Sequence, residues 1–181
     1  MKRRHVLTGA PGSGKTALLR ALELRGYAVV EEAATDVNLL AHARGVDEPW
    51  RAASFIDDIL TLQRQREERA EAGSADIVVF DRSPVCTWAL SEFLGRPPSD
   101  LLKREIERIE RDGIYQRRVL FVENLGFCEP TAVRRISFED TLRFEQVHAE
   151  VYRRFGYELV QLPQAPLDAR LAIATGELGP P

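Results

Sequence analysis

A glycine-rich segment near the N-terminus has the spacing that points most directly to chemistry. Residues 9–16 read GAPGSGKT and match the pattern GxxxxGK[ST], whose glycines let backbone N–H groups converge on phosphate oxygens. A predicted strand precedes the segment and a predicted helix follows it, so the positive end of a helix dipole also faces the site. We therefore predict a site for the phosphates of ATP or GTP that comprises Gly9, Gly12, Ser13, Gly14, Lys15 and Thr16.

Two oxygen-bearing side chains are candidates for holding Mg²⁺ beside these phosphates. Lys15 would reach the terminal phosphates, and the hydroxyl of Thr16 would coordinate the ion. Asp81 closes the apolar run IVVF, and a carboxylate at a strand's C-terminal end is well placed for a metal that keeps several waters. The alternative is an ordinary aspartate at a strand end. Arg82, the next residue, is a candidate contact for an acceptor or a phosphate.

Three acidic residues follow the second predicted strand, in the segment EEAATD. Glu31, Glu32 and Asp36 would lie at the C-terminal edge of the sheet, where ligands bind in open α/β folds. A carboxylate at that edge can accept the proton of an attacking hydroxyl. We predict Glu32 as this base, with Glu31 as its competitor and Asp36 as a further acceptor-binding candidate. The alternative is a solvated acidic turn and helix start, where acidic residues suit the helix dipole.

A cluster of arginines follows the fourth predicted strand. Arg134 and Arg135 lie in the connection, and Arg143 lies on the next predicted helix. Guanidinium groups neutralise the charge that spreads over a transferring phosphoryl group. We therefore predict a small lid at about residues 127–137 that closes over the site and excludes water. A solvated basic turn is the alternative.

The elements that must position these residues follow from hydrophobic patterning. Short apolar runs predict strands that end at Thr8, Val30, Phe80, Val122 and Leu162. Amphipathic stretches between the runs predict helices, and such alternation indicates a parallel sheet covered on both faces. The prediction is an α/β three-layer P-loop NTPase fold, with about five parallel strands, helices on both faces and a small arginine-bearing lid.

Domain boundaries and several local features also follow from this pattern. We expect a P-loop kinase-like domain over residues 1–163 and a C-terminal tail over 164–181, with one helix at about 167–174 and a disordered end. EEAATD is expected to begin a polar connection. Ser99 and Ser137 are expected to cap helices, and Phe138 and Leu142 are expected to face the core.

Composition restricts the class of protein. The chain has 181 residues, of which 44% are hydrophobic, and this is enough to fold as one globular domain. The formal net charge of −3 gives no strong signal for nucleic-acid binding. Two cysteines, Cys86 and Cys128, are too few for a disulfide framework or a zinc site of their own. No apolar stretch has the length of a transmembrane segment or a signal peptide, so we expect a cytoplasmic protein.

These motifs resemble those of small P-loop kinases. GAPGSGKT, a glutamate in EEAA, the segment FDRSP and arginines in a lid are similar to the layout of deoxyribonucleoside kinases. EEAATD, FDRSPVCTWAL and TAVRRISFEDTLRFEQVHAEVYRRFGYELVQLP more closely resemble a group of predicted ATPases of the AAA type. That group is related to the nicotinamide riboside kinase domain and to phosphoinositide-linked P-loop proteins. The resemblance covers about residues 4–162.

The resemblance implies roles for individual residues. Lys15 and Thr16 would hold phosphate and metal, Asp81 the metal, and Glu32 the acceptor hydroxyl, with Arg134 and Arg135 in the lid. One difference weakens the expectation that this chain uses the same substrate as deoxyribonucleoside kinases. The acid after the third strand is aspartate, where those kinases have glutamate.

Two functions remain after this comparison. The first is a small-molecule kinase that moves the γ-phosphoryl of ATP, with Mg²⁺, to a hydroxyl or phosphate of a nucleoside-, nucleotide- or vitamin-like acceptor. The alternative is a regulatory NTPase or nucleotide-dependent binding module that acts on a protein or lipid partner. A Ras-like GTPase is disfavoured because no lysine stands in a guanine-reading [NT]KxD motif. A ring-forming motor is disfavoured because the chain has no room for its C-terminal helical domain. The sequence does not give the oligomeric state.

Overall fold

The computed structural model describes residues 2–126 and 137–181. Within them it contains five strands: β1 (Arg3–Thr8), β2 (Ala28–Val30), β3 (Ile77–Asp81), β4 (Arg118–Val122) and β5 (Glu158–Leu162). The helices in the same residues are α1 (Lys15–Leu24), α2 (Ala33–Ala43), α3 (Phe55–Ala72), α4 (Pro84–Phe93), α5 (Asp100–Arg111), α6 (Phe138–Arg154) and α7 (Leu167–Leu178).

The strands form one parallel sheet in the order β2-β3-β1-β4-β5. The register pairs Leu7 of β1 with Asp81 of β3, and Thr8 with Phe121 of β4. Because parallel strands have their carboxyl ends at the same edge, the loops that follow β1, β2, β3 and β4 all emerge there. The topology thus brings the phosphate loop, the acidic segment and Asp81 to one edge of the sheet.

Two hydrophobic cores cover the two faces of this sheet. On one face Val6, Val78 and Phe80 pack with residues of α3, α4, α5 and α6. On the other face Leu7 and Val79 pack with residues of α1 and α7. Alternate strand residues point to opposite faces, so strands buried on both sides consist of continuous apolar runs. The predicted three-layer α/β fold is confirmed for the described residues.

Helices α5 and α6 begin directly after the two serines that were predicted to cap them. Oγ of Ser99 accepts a hydrogen bond from the backbone N–H of Leu102 at 3.1 Å, at the start of α5. Oγ of Ser137 accepts one from the N–H of Asp140 at 3.0 Å, at the start of α6. Each bond satisfies one of the donors that a helix N-terminus leaves unpaired.

Two local predictions were wrong. The segment EEAATD does not begin a polar connection, because α2 starts at Ala33 within it. Phe138 and Leu142 do not face the core and are 40% and 41% exposed. The buried stripe of α6 lies on another face and contains Phe144, His148, Val151 and Tyr152. His148 is one of the residues of this buried stripe. Because the prediction used only apolar residues, it indicated the wrong face of α6 as buried.

The expectation of a partly disordered C-terminal tail at 164–181 is also corrected. Helix α7 continues to Leu178, and Leu171, Ala174 and Leu178 are buried in the same core as Leu18 of α1. Their spacing of three and four residues places them on one helix face. The C-terminal helix is therefore part of the layer that supports the phosphate loop. No helix in the described residues is both long and apolar enough to cross a bilayer.

Candidate functional site

The glycine-rich loop runs from the end of β1 to the start of α1 in a conformation that its glycines permit. Gly9, Gly12 and Gly14 have φ values of 136°, 82° and 82°. A Cβ on Gly9 would lie 2.2 Å from the carbonyl oxygen of Val122, so the loop passes directly against β4. Any larger residue at position 9 would push the loop away from the sheet, and the left-handed backbone would be strained as well.

Lys15 stands at the first turn of α1, and its ammonium group bonds to the loop itself. Its Nζ donates to the carbonyl oxygen of Ala10 at 2.7 Å and to Oγ of Ser13 at 3.3 Å. Burial, and then the nearby charge of Arg82, lower the pKa of Lys15 to about 8, against the opposing effect of Asp81. A buried ammonium group without a full counter-charge gains most from an incoming anion, which fits a terminal phosphate.

Asp81 ends β3 beneath the loop with one oxygen unsatisfied. The residue is 6% exposed, and Oδ1 has no hydrogen-bond partner among the described residues. Burial, and then the charge of Glu32, raise the pKa of Asp81 to about 6. An orphaned, buried carboxylate oxygen fits a divalent cation, which would replace the proton that this environment favours. Thr16, the other predicted ligand, follows Lys15 and lines the large cavity described below.

Asp81 lines a different, smaller cavity. This space of about 10 Å³ lies between β2, β3 and α3, and Gln63, Arg66 and Tyr115 also line it. It is about large enough for one water molecule. Asp81 is therefore placed under the site, whereas Glu32 faces the large cavity.

Arg82 connects the acidic segment to two helices. Its Nε donates to Oε1 of Glu32, and Nη1 donates to Sγ of Cys86 at 2.9 Å. It is the one residue other than glycine with a positive φ in the described parts of the chain, at 75°. The backbone N–H of Arg82 donates to the carbonyl oxygen of Leu7 at 2.9 Å, which holds this turn against β1. The strained backbone of Arg82 thus lies where it directs the guanidinium group toward the carboxylate of Glu32.

The charges around Glu32 keep it ionised. Burial alone would raise its pKa, but Arg82 and then Lys15 outweigh burial, and hydrogen bonds from Thr35 and Arg82 add to their effect. The pKa of Glu32 is lowered to about 2. Oε2 accepts a hydrogen bond from the hydroxyl of Thr35 at 2.7 Å. Glu32 is therefore an oriented carboxylate with two identified donors, at the wall of the large cavity.

The other acidic candidates are engaged elsewhere. Glu31 pairs with Arg20, and Asp36 pairs with Arg66. Neither lines the large cavity. Arg134 and Arg135, and with them nearly all of the predicted lid, lie outside the described residues.

His148 was not identified as a site residue from the sequence, although it contacts Arg82 and Cys86. Nδ1 lies 2.9 Å from the carbonyl oxygen of Phe144, which can only accept, so Nδ1 carries the hydrogen. Nε2 is then an acceptor, 3.0 Å from Nη1 of Arg82 and 2.7 Å from Sγ of Cys86. Burial, and then Arg82, lower the pKa of His148 well below its usual value, so the ring is neutral. It contacts Nη1 of Arg82, whereas Glu32 contacts Nε.

Arg170 of α7 is a second residue that the sequence did not reveal. Its side chain is buried, and Nη2 donates to the carbonyl oxygen of Glu123 at 3.0 Å. Nη1 would lie 3.1 Å from a Cβ placed on Gly14, so the guanidinium group packs directly against the phosphate loop. The only sequence signal for this contact was an arginine between the apolar residues Leu167 and Leu171 of a predicted helix.

A large cavity opens beside the phosphate loop. Its volume is about 870 Å³, which lies within the usual range for sites that bind small molecules. Lys15 and Thr16 of the loop, Glu32, Arg82 and Cys86 border one end of it. The remaining walls come from α2, α3, α4 and α6 and are mainly apolar. The geometry offers a phosphate site with further space next to it in the same cavity.

Comparison with known proteins agrees with this arrangement. The model of a family described as an AAA domain matches residues 4–170. The chain belongs to this AAA domain family. No curated protein sequence matches the chain.

Solved structures share the fold of this AAA domain at low sequence identity. The NadR protein in complex with NAD and AMP-PNP superposes with a TM-score of 0.69 at 20% identity, covering 98% of this chain and 49% of NadR. This chain thus spans about half the length of NadR. Deoxyadenosine kinase from M. mycoides with bound dATP gives 0.63 at 12% identity, covering 97% and 98% of the two chains. Shikimate kinase from Acinetobacter baumannii in complex with shikimate gives 0.52 at 13% identity, covering 98% and 94%. The predicted membership among P-loop kinase-like NTPases is confirmed.

Proposed function

We propose that this protein is a small-molecule kinase that transfers the γ-phosphoryl group of ATP to a hydroxyl group of an acceptor. The observation that carries the proposal is the composition of the large cavity. Lys15 and Thr16 of the phosphate loop and the ionised carboxylate of Glu32 border the same space. A cavity of about 870 Å³ has room for an acceptor beside the terminal phosphate.

The proposed transfer is a displacement at phosphorus. The acceptor oxygen forms a bond to the γ-phosphorus while the bond from that phosphorus to the β,γ-bridging oxygen breaks. ADP leaves with the electron pair, and the hydroxyl proton passes to Glu32. In the loose transition state of phosphoryl transfer the bond to the acceptor oxygen is only slightly formed, so the hydroxyl loses its proton late. A carboxylate of low pKa is therefore a strong enough base to accept that proton. Arg82 and Thr35 hold Glu32 in place by the hydrogen bonds described above.

The loop and its surroundings are proposed to hold the donor. Backbone N–H groups of residues 9–16 and the ammonium group of Lys15 bind the phosphates. Thr16 and Asp81 are the residues proposed to hold Mg²⁺, which when bound would neutralise charge on the phosphates. The unpartnered Oδ1 of Asp81 supports this assignment. Arg134 and Arg135 are proposed to close over the site and stabilise the charge of the transferring group.

The decisive experiment measures ADP release from Mg·ATP with and without a panel of hydroxyl compounds. We expect turnover to depend on an acceptor, and phosphorylated product to appear in equal amount with ADP. Glu32→Gln should lower acceptor phosphorylation by about 100-fold or more, in the range expected for loss of a general base, without changing ATP affinity. Glu31→Gln is the matched control, because Glu31 is adjacent in sequence but pairs with Arg20 outside the cavity.

The lid residues separate the kinase from a regulatory NTPase. In a kinase, Arg134→Ala and Arg135→Ala should lower kcat with little effect on ATP binding, because such arginines act mainly on the transition state. ATP hydrolysis that needs no acceptor and responds to a protein or lipid partner would instead indicate the regulatory function.

A further inference from the structure

Helix α6 contacts the turn after β3 through two buried side chains one helical turn apart. Nε2 of His148 lies 3.0 Å from Nη1 of Arg82, and the hydroxyl of Tyr152 lies 2.8 Å from Oγ of Ser83. Both α6 side chains are fully buried, and residues four apart lie on one face of a helix. This face of α6 therefore holds the two residues that follow Asp81.

The guanidinium group of Arg82 is held at two of its nitrogen atoms. Nη1 carries two hydrogens and has two acceptors within reach, Sγ of Cys86 at 2.9 Å and Nε2 of His148 at 3.0 Å. Nε carries one hydrogen, which it donates to Oε1 of Glu32. Because the group is planar, the contacts at Nη1 set the direction in which the Nε hydrogen points. The contact with Glu32 thus depends on what holds Nη1.

His148 is the stronger of the two acceptors at Nη1. A thiol sulfur accepts hydrogen bonds only weakly, whereas a neutral imidazole has one full acceptor nitrogen. Nδ1 donates to the carbonyl oxygen of Phe144 at 2.9 Å, which leaves Nε2 as that acceptor. The imidazole also packs with its edge against the ring of Phe144, with centroids 4.1 Å apart. Its own helix therefore keeps the ring in place and presents Nε2 at a fixed position.

Packing alone does not keep Arg82 against Glu32. Arg82 borders both the large cavity of about 870 Å³ and the small cavity of about 10 Å³. The side chain therefore has open space beside it into which it could turn. A buried N–H group without an acceptor is costly in free energy, so loss of the acceptor at Nη1 would favour such a turn.

We propose, on the basis of the kinase function above, that His148 is a positioning residue for phosphoryl transfer. It holds Nη1 of Arg82 so that Nε of Arg82 stays directed at Glu32, and the orientation of the base thereby depends on α6. His148 itself does not line the large cavity, so it acts on the acceptor only through Arg82 and Glu32.

Exchange of the Nε hydrogen of Arg82 with solvent reports the contact with Glu32 without an acceptor or a nucleotide. It is measured by NMR on the full-length chain, and Arg82→Lys identifies the resonance by its disappearance. His148→Leu removes the acceptor at Nη1, and we expect exchange to become about tenfold faster, as for loss of one hydrogen bond. Unchanged exchange in His148→Leu, confirmed as folded by its thermal midpoint, would overturn the proposal.

Two amide variants test the position of the acceptor. His148→Gln can place an amide oxygen where Nε2 lies, whereas His148→Asn carries the same group on a side chain one carbon shorter. We expect the Nε hydrogen of Arg82 to exchange nearly as slowly in His148→Gln as in the wild type, and about as fast in His148→Asn as in His148→Leu. Equal exchange in the two amide variants would show that an acceptor at the position of Nε2 is not what holds Arg82.

Val151→Ala is the control for a general loosening of α6. Val151 is fully buried on the same helix and belongs to the hydrophobic core, and its side chain has no polar atom that could hold Arg82. The truncation should lower the thermal midpoint and leave exchange of the Arg82 Nε hydrogen unchanged. Exchange that rises as much as in His148→Leu would mean that lost packing explains both results, and the positioning role would be rejected.

Kinetics with an acceptor that the wild type phosphorylates separate this proposal from the kinase function. His148→Leu should lower kcat about tenfold and leave the KM for ATP unchanged, and His148→Gln should restore most of kcat. If no compound is phosphorylated by the wild type, the kinase fails, whereas faster exchange in His148→Leu would still support the hold of His148 on Arg82. Wild-type kcat in His148→Leu would retain the kinase and overturn the role of His148 in the transfer.

Discussion

Replacing Arg82 with glutamine is expected to raise the pKa of Glu32 from about 2 toward its ordinary value of 4.5. Burial acts to raise this pKa and would remain in the variant, while the main opposing charge would be lost. The lowering of this pKa from 4.5 to about 2 corresponds to roughly 3 kcal/mol. That figure is the net effect, after the cost of burial, of the charges of Arg82 and Lys15 together with the hydrogen bonds from Thr35 and Arg82.

The pKa can be measured without knowing the acceptor. Carboxyl carbons of ¹³C-labelled glutamate are titrated by NMR, and Glu32→Gln identifies the resonance of Glu32. Arg82→Lys is the matched control, because it keeps a positive charge and should hold the pKa well below that of Arg82→Gln. A value that stays near 2 in folded Arg82→Gln would show that Arg82 is not what keeps Glu32 ionised, and the electrostatic reasoning would fail.

Three further outcomes are expected. Lys15→Ala should weaken Mg·ATP binding by about 100-fold through loss of a charged hydrogen bond to phosphate, and unchanged affinity in calorimetry would contradict the phosphate site. Asp81→Asn should weaken nucleotide binding in the presence of Mg²⁺ far more than in EDTA; equal losses would argue against a metal role. Burial, and then Arg3, lower the pKa of His5 to about 4. Since unfolding restores a pKa near 6.5, the folded state should lose up to about 3 kcal/mol as pH falls from 6.5 to 4, and denaturant unfolding of His5→Leu should lack that loss.

Structural features that depend on residues close together in the chain could be predicted from the sequence. The phosphate loop is recognisable because its glycines, lysine and threonine stand at fixed spacing between a strand and a helix. Strand β3 was found because a strand buried on both faces is a continuous apolar run. Asp81 was recognisable for the same reason, as the first acid after such a run. Local patterning therefore predicted the fold and one side of the site.

Features that depend on distant residues could not be predicted. The partners of Arg82 come from α4, α6 and the start of α2, and nothing in the sequence around Arg82 identifies them. His148 occupies a buried position on α6, and no repeating pattern of polar residues in the sequence marked it as part of a site. Helix α2 was missed because its first turn, AATD, is small and polar, although Ala33 is buried against α3 and its neighbours. Arg170 was overlooked because the apolar residues of its helix suggested a short segment without a role.

The contact between α7 and the phosphate loop has a consequence for protein synthesis. The loop leaves the ribosome among the first segments of this fold, followed much later by β3 and β4, which flank β1 in the sheet. Arg170, which packs against Gly14, emerges later still. A nascent chain therefore carries the complete glycine-rich sequence through most of translation without the native support for it. Nucleotide capture during synthesis should begin abruptly when α7 is released, rather than increase gradually with chain length.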